Sequence, residues 1–516
     1  MASPSEKLSE SLEVLRKLQE RGMIAIQARD LSRTHKERLL RTGFLQEVMK
    51  GWYIPARLDE ISGESTAWYA SFWDFSSTYL NKRFKNAWCL SPEQSLSLHV
   101  NNWTVPKQLF VRSPKGRNKI TPLPHKTSLF DAQYQMPNKN EIAIINGMRV
   151  FSLGAALTYC SQKFFTQHST DARTALSLIR DASEILAPLL TGGHSTIAGR
   201  LAGGLRNIGR DEVADEIIKT MTKTGYAIRE IDPFESTSII NISNRERSPY
   251  VNRLRVMWQE MREQVITYFP KPPIKPANTK AYLENVKETY ITDAYHSLSI
   301  EGYRVNAELI QHVRSGKWNP DNNENDKEHT AALAARGYWQ AFKKVEVSIG
   351  KALKGINAGK IFSEDHRDWY REMFEPCVMA GIIKPVDLAG YRHGQVYIRR
   401  SMHIPPNSNA VRDLMPALCD FLEAEKDAAV RVVLGHFFFV YIHPYMDGNG
   451  RIGRFLMNVM LASGGYPWIV IPVEQRSKYM AALEEASVGQ NITPFCKFLA
   501  ALVIDRLKGK HLPEIK

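Results

Sequence analysis

The residues whose types and spacing suggest chemistry lie between His443 and Arg454, a twelve-residue stretch that reads HPYMDGNGRIGR. An imidazole can take a proton from a hydroxyl near neutral pH, and a carboxylate oxygen suits a magnesium ion that also binds phosphates. Glycines allow backbone N–H groups to converge on an anion, and a following helix N-terminus adds positive partial charge. Together these groups predict phosphoryl-type transfer from a nucleotide.

Apolar runs on both sides must position this stretch. Ala429–Ile442 precedes it and Phe455–Leu461 follows it, which predicts two buried helices joined by a tight polar loop. The second helix is expected to start near Asn449. On that helix Arg451 and Arg454 are three residues apart, so both can fork onto phosphate oxygens from about the same face.

Two other interpretations of the stretch are open. Gly448–Gly453 fits G-x-G-x-x-G, the dinucleotide fingerprint, but that fingerprint requires a preceding short strand within a βαβ unit. The stretch also fits a helix–turn–helix corner in which Asn-Gly makes the turn and the arginines are solvated. A corner of that kind requires neither the histidine nor the carboxylate.

The stretch resembles the signature of Fic-domain proteins, His-x-Phe-x-(Asp/Glu)-Gly-Asn-Gly-Arg-x-x-Arg, with Tyr445 where phenylalanine is usual. The resemblance implies an all-helical bundle and an enzyme that transfers AMP from ATP to a protein hydroxyl, with release of pyrophosphate. It implies that His443 is the general base and Asp447 the ligand of Mg²⁺. The residues that the resemblance assigns to ATP phosphates are Gly448, Asn449, Gly450, Arg451 and Arg454.

Two further segments resemble parts of the same family. Ser297-Leu-Ser-Ile-Glu301-Gly302 matches the inhibitory motif (Ser/Thr)-x-x-x-Glu-(Gly/Asn), which implies that Glu301 pairs with Arg454 and blocks the γ-phosphate. Gln395–Ile398 departs from helical spacing and suits a hairpin strand. It resembles the family's β-hairpin flap, and its residues Val396, Tyr397 and Ile398 are expected to align the target as an added strand.

Composition bounds the rest. The chain has 516 residues, 43% hydrophobic and 24% charged, which is ordinary for a soluble protein of several domains. No run approaches the roughly 18 apolar residues that span a bilayer. The five scattered cysteines fit neither a disulfide framework nor zinc spacing, and the N-terminus is polar. We therefore expect a cytoplasmic protein without a membrane partner.

The net charge of +14 suggests an acidic partner, and one candidate element lies near the N-terminus. The residues expected to contact double-stranded DNA are Arg33, Lys36, Arg38 and Arg41. A helix, this basic helix and a hairpin around Lys50-Gly51 make a winged-helix order. A solvated charged helix in a small partner-binding domain is the alternative. The region resembles AbiEi-type antitoxin regulators, whose hairpin often carries Gly-Trp-Tyr, as at Gly51–Tyr53.

The predicted architecture is multidomain and mainly α. Its parts are a winged helix over 1–60, a mixed α/β AbiEi-like region over 61–269 that could also dimerise, a Pro-rich linker over 270–280, and a Fic bundle over 281–516 whose inhibitory helix spans 281–302. In the middle region, strands are expected at Ser95–Val100 and Gln108–Arg112. Helical stretches are expected there at Ser152–Lys163, Asp171–Ala187 and Ile197–Thr222.

The predicted function is adenylyl transfer from Mg-ATP to a serine, threonine or tyrosine hydroxyl of a target protein or of the chain itself, with Glu301 inhibitory. Two alternatives stay open. One is a DNA-binding transcriptional or toxin–antitoxin regulator whose nucleotide site only senses its ligand. The other is the reverse reaction, removal of AMP, in which Glu301 orients water. The presence of His443 favours an enzyme, because a sensor needs no base.

Overall fold

A computed structural model describes residues 3–56, 65–234, 248–273, 278–315 and 330–515. Its contacts divide the chain into two compact units. The N-terminal unit comprises residues 1–256 together with 397–404, and the C-terminal unit comprises 257–396 and 405–516. The predicted boundary at 60/61 lies outside the described residues, as do positions 274–277 of the predicted linker.

Helices and strands alternate irregularly in the N-terminal unit. Its helices are α1 (Pro4–Glu20), α2 (Arg33–Arg41), α3 (Thr66–Phe84), α4 (Pro92–His99), α5 (Leu153–Tyr159), α6 (Gln162–Gln167), α7 (Ser169–Ser177), α8 (Ser183–Gly192), α9 (Ser195–Asn207), α10 (Asp211–Lys223) and the first part of α11 (Pro249–Tyr268). Its strands are β1 (Ile26–Gln27), β2 (Leu45–Met49), β3 (Trp52–Pro55), β4 (Cys89–Leu90), β5 (Gln108–Ser113), β6 (Lys119–Pro122), β7 (Ser128–Gln133), β8 (Ile142–Ile145) and β9 (Met148–Phe151).

The first module has the predicted order of helix, short strand, basic helix and hairpin. Ser3 caps α1 with a capping box, and Gly22 at φ +72° follows its end. Strands β1, β3 and β2 form an antiparallel sheet in that order. The helices pack on the sheet through a small apolar core that includes Leu18, Ile26 and Leu39. Homology to winged-helix proteins stays a prediction.

The middle of this unit departs from the expected elements. Residues 95–100 were predicted as a strand, which is wrong: 95–99 belong to α4 and Val100 caps it, because the Ser91 side chain accepts a hydrogen bond from the Gln94 N–H and Pro92 occupies the first turn. The three predicted helical stretches are confirmed as helical, and each contains two helices, with breaks at Cys160, at 178–182 and at 208–210. The predicted strand at 108–112 is confirmed as β5, which pairs in parallel with β7.

The C-terminal unit is an all-helical bundle in its described residues. Its elements are the end of α11, then α12 (Thr279–Ile300), α13 (Ala307–Arg314), α14 (Thr330–Leu353), α15 (Ala358–Met379), α16 (Ser408–Ala424), α17 (Ala428–Ile442), α18 (Asn449–Ser463), α19 (Arg476–Val488) and α20 (Thr493–Leu507), with short 3₁₀ turns at Pro385–Leu388 and Val473–Gln475. The mainly helical, multidomain class is therefore confirmed.

The bundle begins before the predicted linker. Helix α11 runs through residue 257, where the C-terminal unit starts, and the Trp258 ring stacks on Phe438 of α17 with 5.6 Å between centroids. At its end, the Tyr466 hydroxyl donates to the Pro270 carbonyl over 2.6 Å. Pro270, the first residue of the predicted linker, is thus bound to the bundle, and a linker over the rest of the predicted range stays a prediction.

The central pair α17 and α18 forms the core of the bundle. Almost every residue of both helices is buried. Such a pair must be apolar around most of its circumference, as the sequence predicts. Among the described residues, no helix of the chain has the length and apolar character to cross a membrane.

Candidate functional site

The loop between α17 and α18 has a tightly defined backbone. Helix α17 ends at His443, whose N–H donates to the Phe439 carbonyl and whose own φ is +53°. Gly448, at φ +79°, immediately precedes α18. The left-handed conformation is unfavourable for a residue with a Cβ, so the position of His443 requires support from its surroundings.

The imidazole of His443 is half-buried, and its Nδ1 lies 3.1 Å from the Val440 carbonyl. That carbonyl can only accept, so Nδ1 carries the proton and Nε2 has a free lone pair. Burial lowers the pKa of His443 to about 4. The side chain is therefore neutral at physiological pH, which is the form that can act as a base.

Arg392 supports the backbone of this histidine, a role that no sequence pattern predicted. Its Nε donates to the His443 carbonyl and its Nη1 to the Gly394 carbonyl, each over 2.8 Å. Its Nη2 donates to the Pro406 carbonyl, and its backbone N–H donates to Pro444. The partners are main-chain oxygens, and all but Gly394 are distant in sequence, so no spacing pattern could have revealed them.

Asn449 has a different place from the one expected. Its Oδ1 accepts from the Tyr445 N–H over 2.9 Å, and its Nδ2 donates to the Tyr445 carbonyl over 2.8 Å. The Tyr445 ring in turn stacks on Tyr370, with 3.8 Å between centroids. The Asn449 side chain thus fixes the loop, so any contribution to anion binding would come from its backbone N–H at the start of α18.

Gly448 and Gly450 are required by close neighbours as well as by backbone conformation. A Cβ on Gly448 would lie 2.7 Å from the Phe374 ring, and one on Gly450 would collide with the Glu301 carboxylate. No side chain caps the first turn of α18. The first N–H groups of the helix therefore face a space bounded by Glu301, which is where an anion would bind.

Asp447 and Arg451 pair beside that space. Arg451 Nη2 donates to Asp447 Oδ2 over 3.1 Å, while the Gly448 N–H donates to Oδ1 over 2.6 Å. The Asp447 side chain is 63% exposed but that of Arg451 only 1%. The Arg451 guanidinium lies between the rings of Tyr303 and Phe374, 5.3 and 5.0 Å from their centroids. Arg451 therefore holds the carboxylate in place from beneath.

Arg454 is bound by the segment expected to inhibit it. Its Nη2 donates to Glu301 Oε1 over 2.7 Å and to the Ser297 carbonyl over 3.0 Å. Its Nε donates to Ser297 Oγ over 2.8 Å. The side chain of Arg454 is 4% exposed, so these are charge-assisted hydrogen bonds in a largely dry environment. The structure brings the three residues together as predicted.

The remaining nitrogen of Arg454 marks the side of the guanidinium that faces the loop. Nη1 is buried, has no hydrogen-bond partner within the described residues, and lies 3.2 Å from where a Cβ on Gly450 would be. A buried guanidinium nitrogen without an acceptor is unfavourable, and an anion over the first turn of α18 would satisfy it.

Two residues of α19, Arg476 and Tyr479, contact the segments around Arg454 and Glu301. Arg476 Nε donates to the Ile300 carbonyl over 2.7 Å, at the end of α12. Tyr479 pairs with His436 Nε2 over 2.7 Å, and His436 Nδ1 lies 2.8 Å from the Gly453 carbonyl. Both residues therefore support the backbone around Arg454 and Glu301.

The predicted flap residues do not form a hairpin. Residues 395–398 have extended backbone without a β-ladder, and the Ser401 N–H donates to the Ile398 carbonyl to close a turn. Val396 is buried, Ile398 is half-buried and Tyr397 is 40% exposed. Prolines at 405 and 406 leave two positions without an N–H for a second strand, which accounts for the missing ladder.

The four basic residues of α2 do not share one surface. Arg33 and Arg41 are exposed, and Arg33 pairs with Glu37 over 2.7 Å. Lys36 lies 5.9 Å from the centre of the Tyr53 ring. Arg38 is turned towards α1, where it donates to Ser11 Oγ and to the Lys7 carbonyl. Arg38 is thus engaged in joining two helices, and DNA contact by the others stays a prediction.

Comparison with known proteins finds relatives of the segment that contains the site. A family model described as the Fic/DOC family matches residues 363–461. "Protein adenylyltransferase Fic" of Drosophila willistoni is 33% identical over 218 residues, which are 42% of this chain and 40% of that protein. The Drosophila virilis protein of the same name is 33% identical over 42% of this chain and 41% of its own length. The chain thus spans less than half of these curated relatives.

Among solved structures, Fic-1 (residues 134–508) from C. elegans is similar over 66% of this chain and 91% of its own, at 20% identity and a TM-score of 0.37. A likeness that low adds nothing to the assignment of the site. The matched family segment contains α17, the loop from His443 to Arg454 and most of α18. Residues 363–461 are therefore similar to the Fic/DOC family, and the loop described above lies within this segment.

Proposed function

We propose that the chain is a protein adenylyltransferase that transfers AMP from ATP to the hydroxyl of a serine, threonine or tyrosine in a target protein or in itself. One observation carries the proposal: a neutral histidine with a free Nε2 precedes a glycine loop whose buried guanidinium, Arg454, has an unused nitrogen facing the loop. The names of the Drosophila relatives support the same chemistry.

In the proposed reaction His443 Nε2 takes the proton of the target hydroxyl. The hydroxyl oxygen then forms a bond to the α-phosphorus while the bond from that phosphorus to the bridging oxygen breaks, and pyrophosphate leaves. Charge on the phosphates would be stabilised by Arg454 Nη1 and by the free N–H groups at the start of α18. Preorganised donors in a water-poor site contribute most to catalysis of this type.

Asp447 is the residue that fits a magnesium ion. Its carboxylate is exposed but is held by Arg451 and by the Gly448 N–H, and within the described residues no cluster of three metal-ligating side chains exists. One carboxylate is sufficient for Mg²⁺ that is bound mainly through substrate phosphates. When bound, the ion would neutralise phosphate charge. Asp447 then orients it, and Arg451 keeps Asp447 in position.

We further propose that Glu301 inhibits the enzyme. Its Oε1 binds Arg454 Nη2, and the carboxylate lies so close to Gly450 that no Cβ would fit between them. A negative charge there would repel the γ-phosphate and would compete for the guanidinium that should bind it. Removal of the carboxylate should free Arg454 and leave the His443 side of the site unchanged.

Incubation with Mg²⁺ and ATP, with and without a cell lysate as the source of targets, tests both proposals. We expect label from the α-phosphate, but none from the γ-phosphate, to enter protein with the Glu301→Gly variant, at least about tenfold faster than with wild type, because one charged contact contributes roughly 1.5–3 kcal/mol. Intact-mass measurement should find AMP added. The double variant Glu301→Gly with His443→Ala should lose the transfer.

Glu288→Gly is the matched control, because it makes the same change on an exposed position of the same helix. It should transfer at the wild-type rate. Transfer that survives the loss of His443 would contradict its role as base. Equal transfer by wild type and Glu301→Gly would contradict inhibition while leaving the reaction intact. Release of AMP from a pre-modified target by wild type alone would instead favour the reverse reaction.

A further inference from the structure

Behind the contact between Ser297 and Arg454 lies a buried row of polar groups that the proposed reaction does not use. The Ser297 hydroxyl, which accepts from Arg454 Nε, also contacts the Tyr338 hydroxyl. Tyr338 donates to Asp293 Oδ2 over 2.6 Å. Trp468 Nε1 lies 3.2 Å from Asp293 Oδ1. A continuous row of hydrogen bonds thus runs from a guanidinium, through two hydroxyls, to a carboxylate.

Asp293 is an unexpected residue for this position. It is 4% exposed and Tyr338 is fully buried. Burial raises the pKa of Asp293 to about 6, and the charge of Arg454 acts in the opposite direction. A buried carboxylate is unfavourable unless its oxygens are hydrogen-bonded, and here Trp468 and Tyr338 each satisfy one of them. We therefore expect Asp293 to have a role that explains why a carboxylate is buried at this position.

The spacing of the residues on α12 indicates that role. Asp293, Ser297 and Glu301 are four residues apart in succession, so they follow one another along a single face of the helix. Tyr338 reaches this face from α14, and Arg454 reaches it from α18. The carboxylate at one end of the row and the inhibitory carboxylate at the other therefore meet the same arginine, one directly and one through hydroxyls.

The direction of each hydrogen bond in the row follows from the chemistry of its ends. An ionised carboxylate only accepts hydrogen bonds, so the Tyr338 hydroxyl must donate its hydrogen bond to Asp293. The Tyr338 oxygen then accepts a hydrogen bond from the Ser297 hydroxyl. The lone pairs of Ser297 Oγ are left for Arg454 Nε, which only donates. Each bond in such a row polarises the next, so the row favours one orientation of the serine hydroxyl.

We propose that Asp293 and Tyr338 are positioning residues of the inhibitory contact: they fix Ser297 as a hydrogen-bond acceptor and so keep Arg454 turned towards Glu301. This inference rests on the proposed function, in which Arg454 must leave Glu301 to bind phosphate. Neither residue touches the nucleotide or the target. Their effect reaches the reaction only through the orientation of Arg454.

Tyr338→Phe tests the inference because it removes one hydroxyl and retains the ring. Loss of one buried hydrogen bond in the row should raise transfer of the α-phosphate label about fivefold over wild type. In the Glu301→Gly background the same substitution should change transfer by less than about twofold, since the contact it supports is already absent. Ser297→Ala should abolish the effect of Tyr338→Phe, because the hydroxyl that Tyr338 orients is then absent.

Tyr282→Phe is the matched control. Tyr282 lies on the same helix and donates to the Tyr466 carbonyl over 2.7 Å, away from the row. It should leave transfer unchanged. A decrease caused by Tyr338→Phe in both backgrounds, or an equal increase caused by Tyr282→Phe, would indicate a general effect on the helix and would overturn the inference.

A second measurement keeps the inference separate from the proposed reaction. Amide hydrogen exchange of residues 297–303, without nucleotide, should be about fivefold faster in Tyr338→Phe than in wild type and unchanged in Tyr282→Phe. If Glu301→Gly transfers no label, the proposed function fails, but the exchange rates still decide whether the row holds the end of α12. Unchanged exchange in Tyr338→Phe would overturn the inference in either case.

Discussion

Two regions of the chain carry clustered arginines, and the structure places them in opposite environments. On α2 the Arg33 side chain is 87% exposed and pairs with Glu37, which is itself 60% exposed. In the loop from His443 to Arg454, the side chains of Arg451 and Arg454 are 1% and 4% exposed and bind Asp447 and Glu301. Exposed pairs contribute roughly 0–1 kcal/mol, but a buried guanidinium requires partners for its nitrogens.

The difference shows what a cluster of basic residues can and cannot indicate. An exposed arginine is satisfied by water, so its presence says little about a ligand. A buried arginine with a nitrogen that lacks an acceptor, such as Nη1 of Arg454 or Nε of Arg451, is energetically unfavourable, and a bound anion would supply the missing acceptor. The burial of the arginine side chains therefore distinguishes the loop from His443 to Arg454 from the charged surface of α2. The sequence alone does not show this burial.

The largest effect should come from the buried arginine. In the Glu301→Gly background, Arg454→Ala should lower kcat/KM for transfer about 100- to 1,000-fold, because it removes charge stabilisation within a water-poor site. Arg41→Ala on α2, an exposed residue, should have no effect on transfer. Steady-state kinetics with the α-labelled nucleotide measure both. Similar losses from the two substitutions would remove the distinction between the regions.

Two glycines with the same backbone conformation sharpen the comparison through stability. Gly43 and Gly448 both have φ +79°, but a Cβ on Gly43 meets nothing within 4 Å, and one on Gly448 meets the Phe374 ring at 2.7 Å. Gly43→Ala should therefore lower the free energy of unfolding by about 1 kcal/mol. Gly448→Ala should lower it by roughly 2–4 kcal/mol, since crowding is added to backbone strain. Urea denaturation measures both, and equal losses would show that the packing around the loop is looser than described.

The pH dependence should show the burial of His443. Its pKa is lowered to about 4, so the base stays deprotonated as the pH falls from 8 to 5. For Glu301→Gly, kcat/KM should be level over that range and fall about tenfold per pH unit only below the pKa. The same shift means that the unfolded chain binds a proton more readily than the folded one, so His443 lowers stability as the pH drops from about 6.5 towards 4. A decline in kcat/KM that begins near the pKa of a solvated histidine, about 6.5, would contradict burial of the base.

The smallest effect on stability should come from an exposed arginine of α2. Arg38→Ala should cost about 1–2 kcal/mol, because it removes two hydrogen bonds to α1, whereas Arg33→Ala should change the free energy of unfolding by less than about 0.5 kcal/mol. Amide exchange of residues 45–55 reports the stability of this module.

If α2 binds duplex DNA, Arg41→Ala should weaken the binding of the chain to duplex DNA and reduce the salt dependence of that binding. If only Arg38→Ala abolished DNA binding, the binding would depend on the stability of the module and not on the exposed face of α2.

The sequence by itself determined the loop and the bundle around it. The residue types from His443 to Arg454 and the apolar runs on both sides were sufficient to predict two buried helices and a start at Asn449, because these features are local or strongly patterned. The contact between Glu301 and Arg454 was predicted only from the resemblance of Ser297–Gly302 to the family's inhibitory motif. In the middle region, where the periodicity is weak, Ser91 and Pro92 outweighed the alternation that suggested a strand.

Only the tertiary structure decided how the groups are used. In the folded chain the Asn449 side chain is hydrogen-bonded to the Tyr445 backbone, Arg38 donates to Ser11 of α1, and Arg392 donates to the His443 carbonyl. It also aligned Asp293 and Tyr338 behind Ser297. The partners in these contacts are main-chain atoms or residues far apart in the chain. Which hydrogen bonds a buried polar group makes depends on packing between helices, and no spacing in the sequence specifies it.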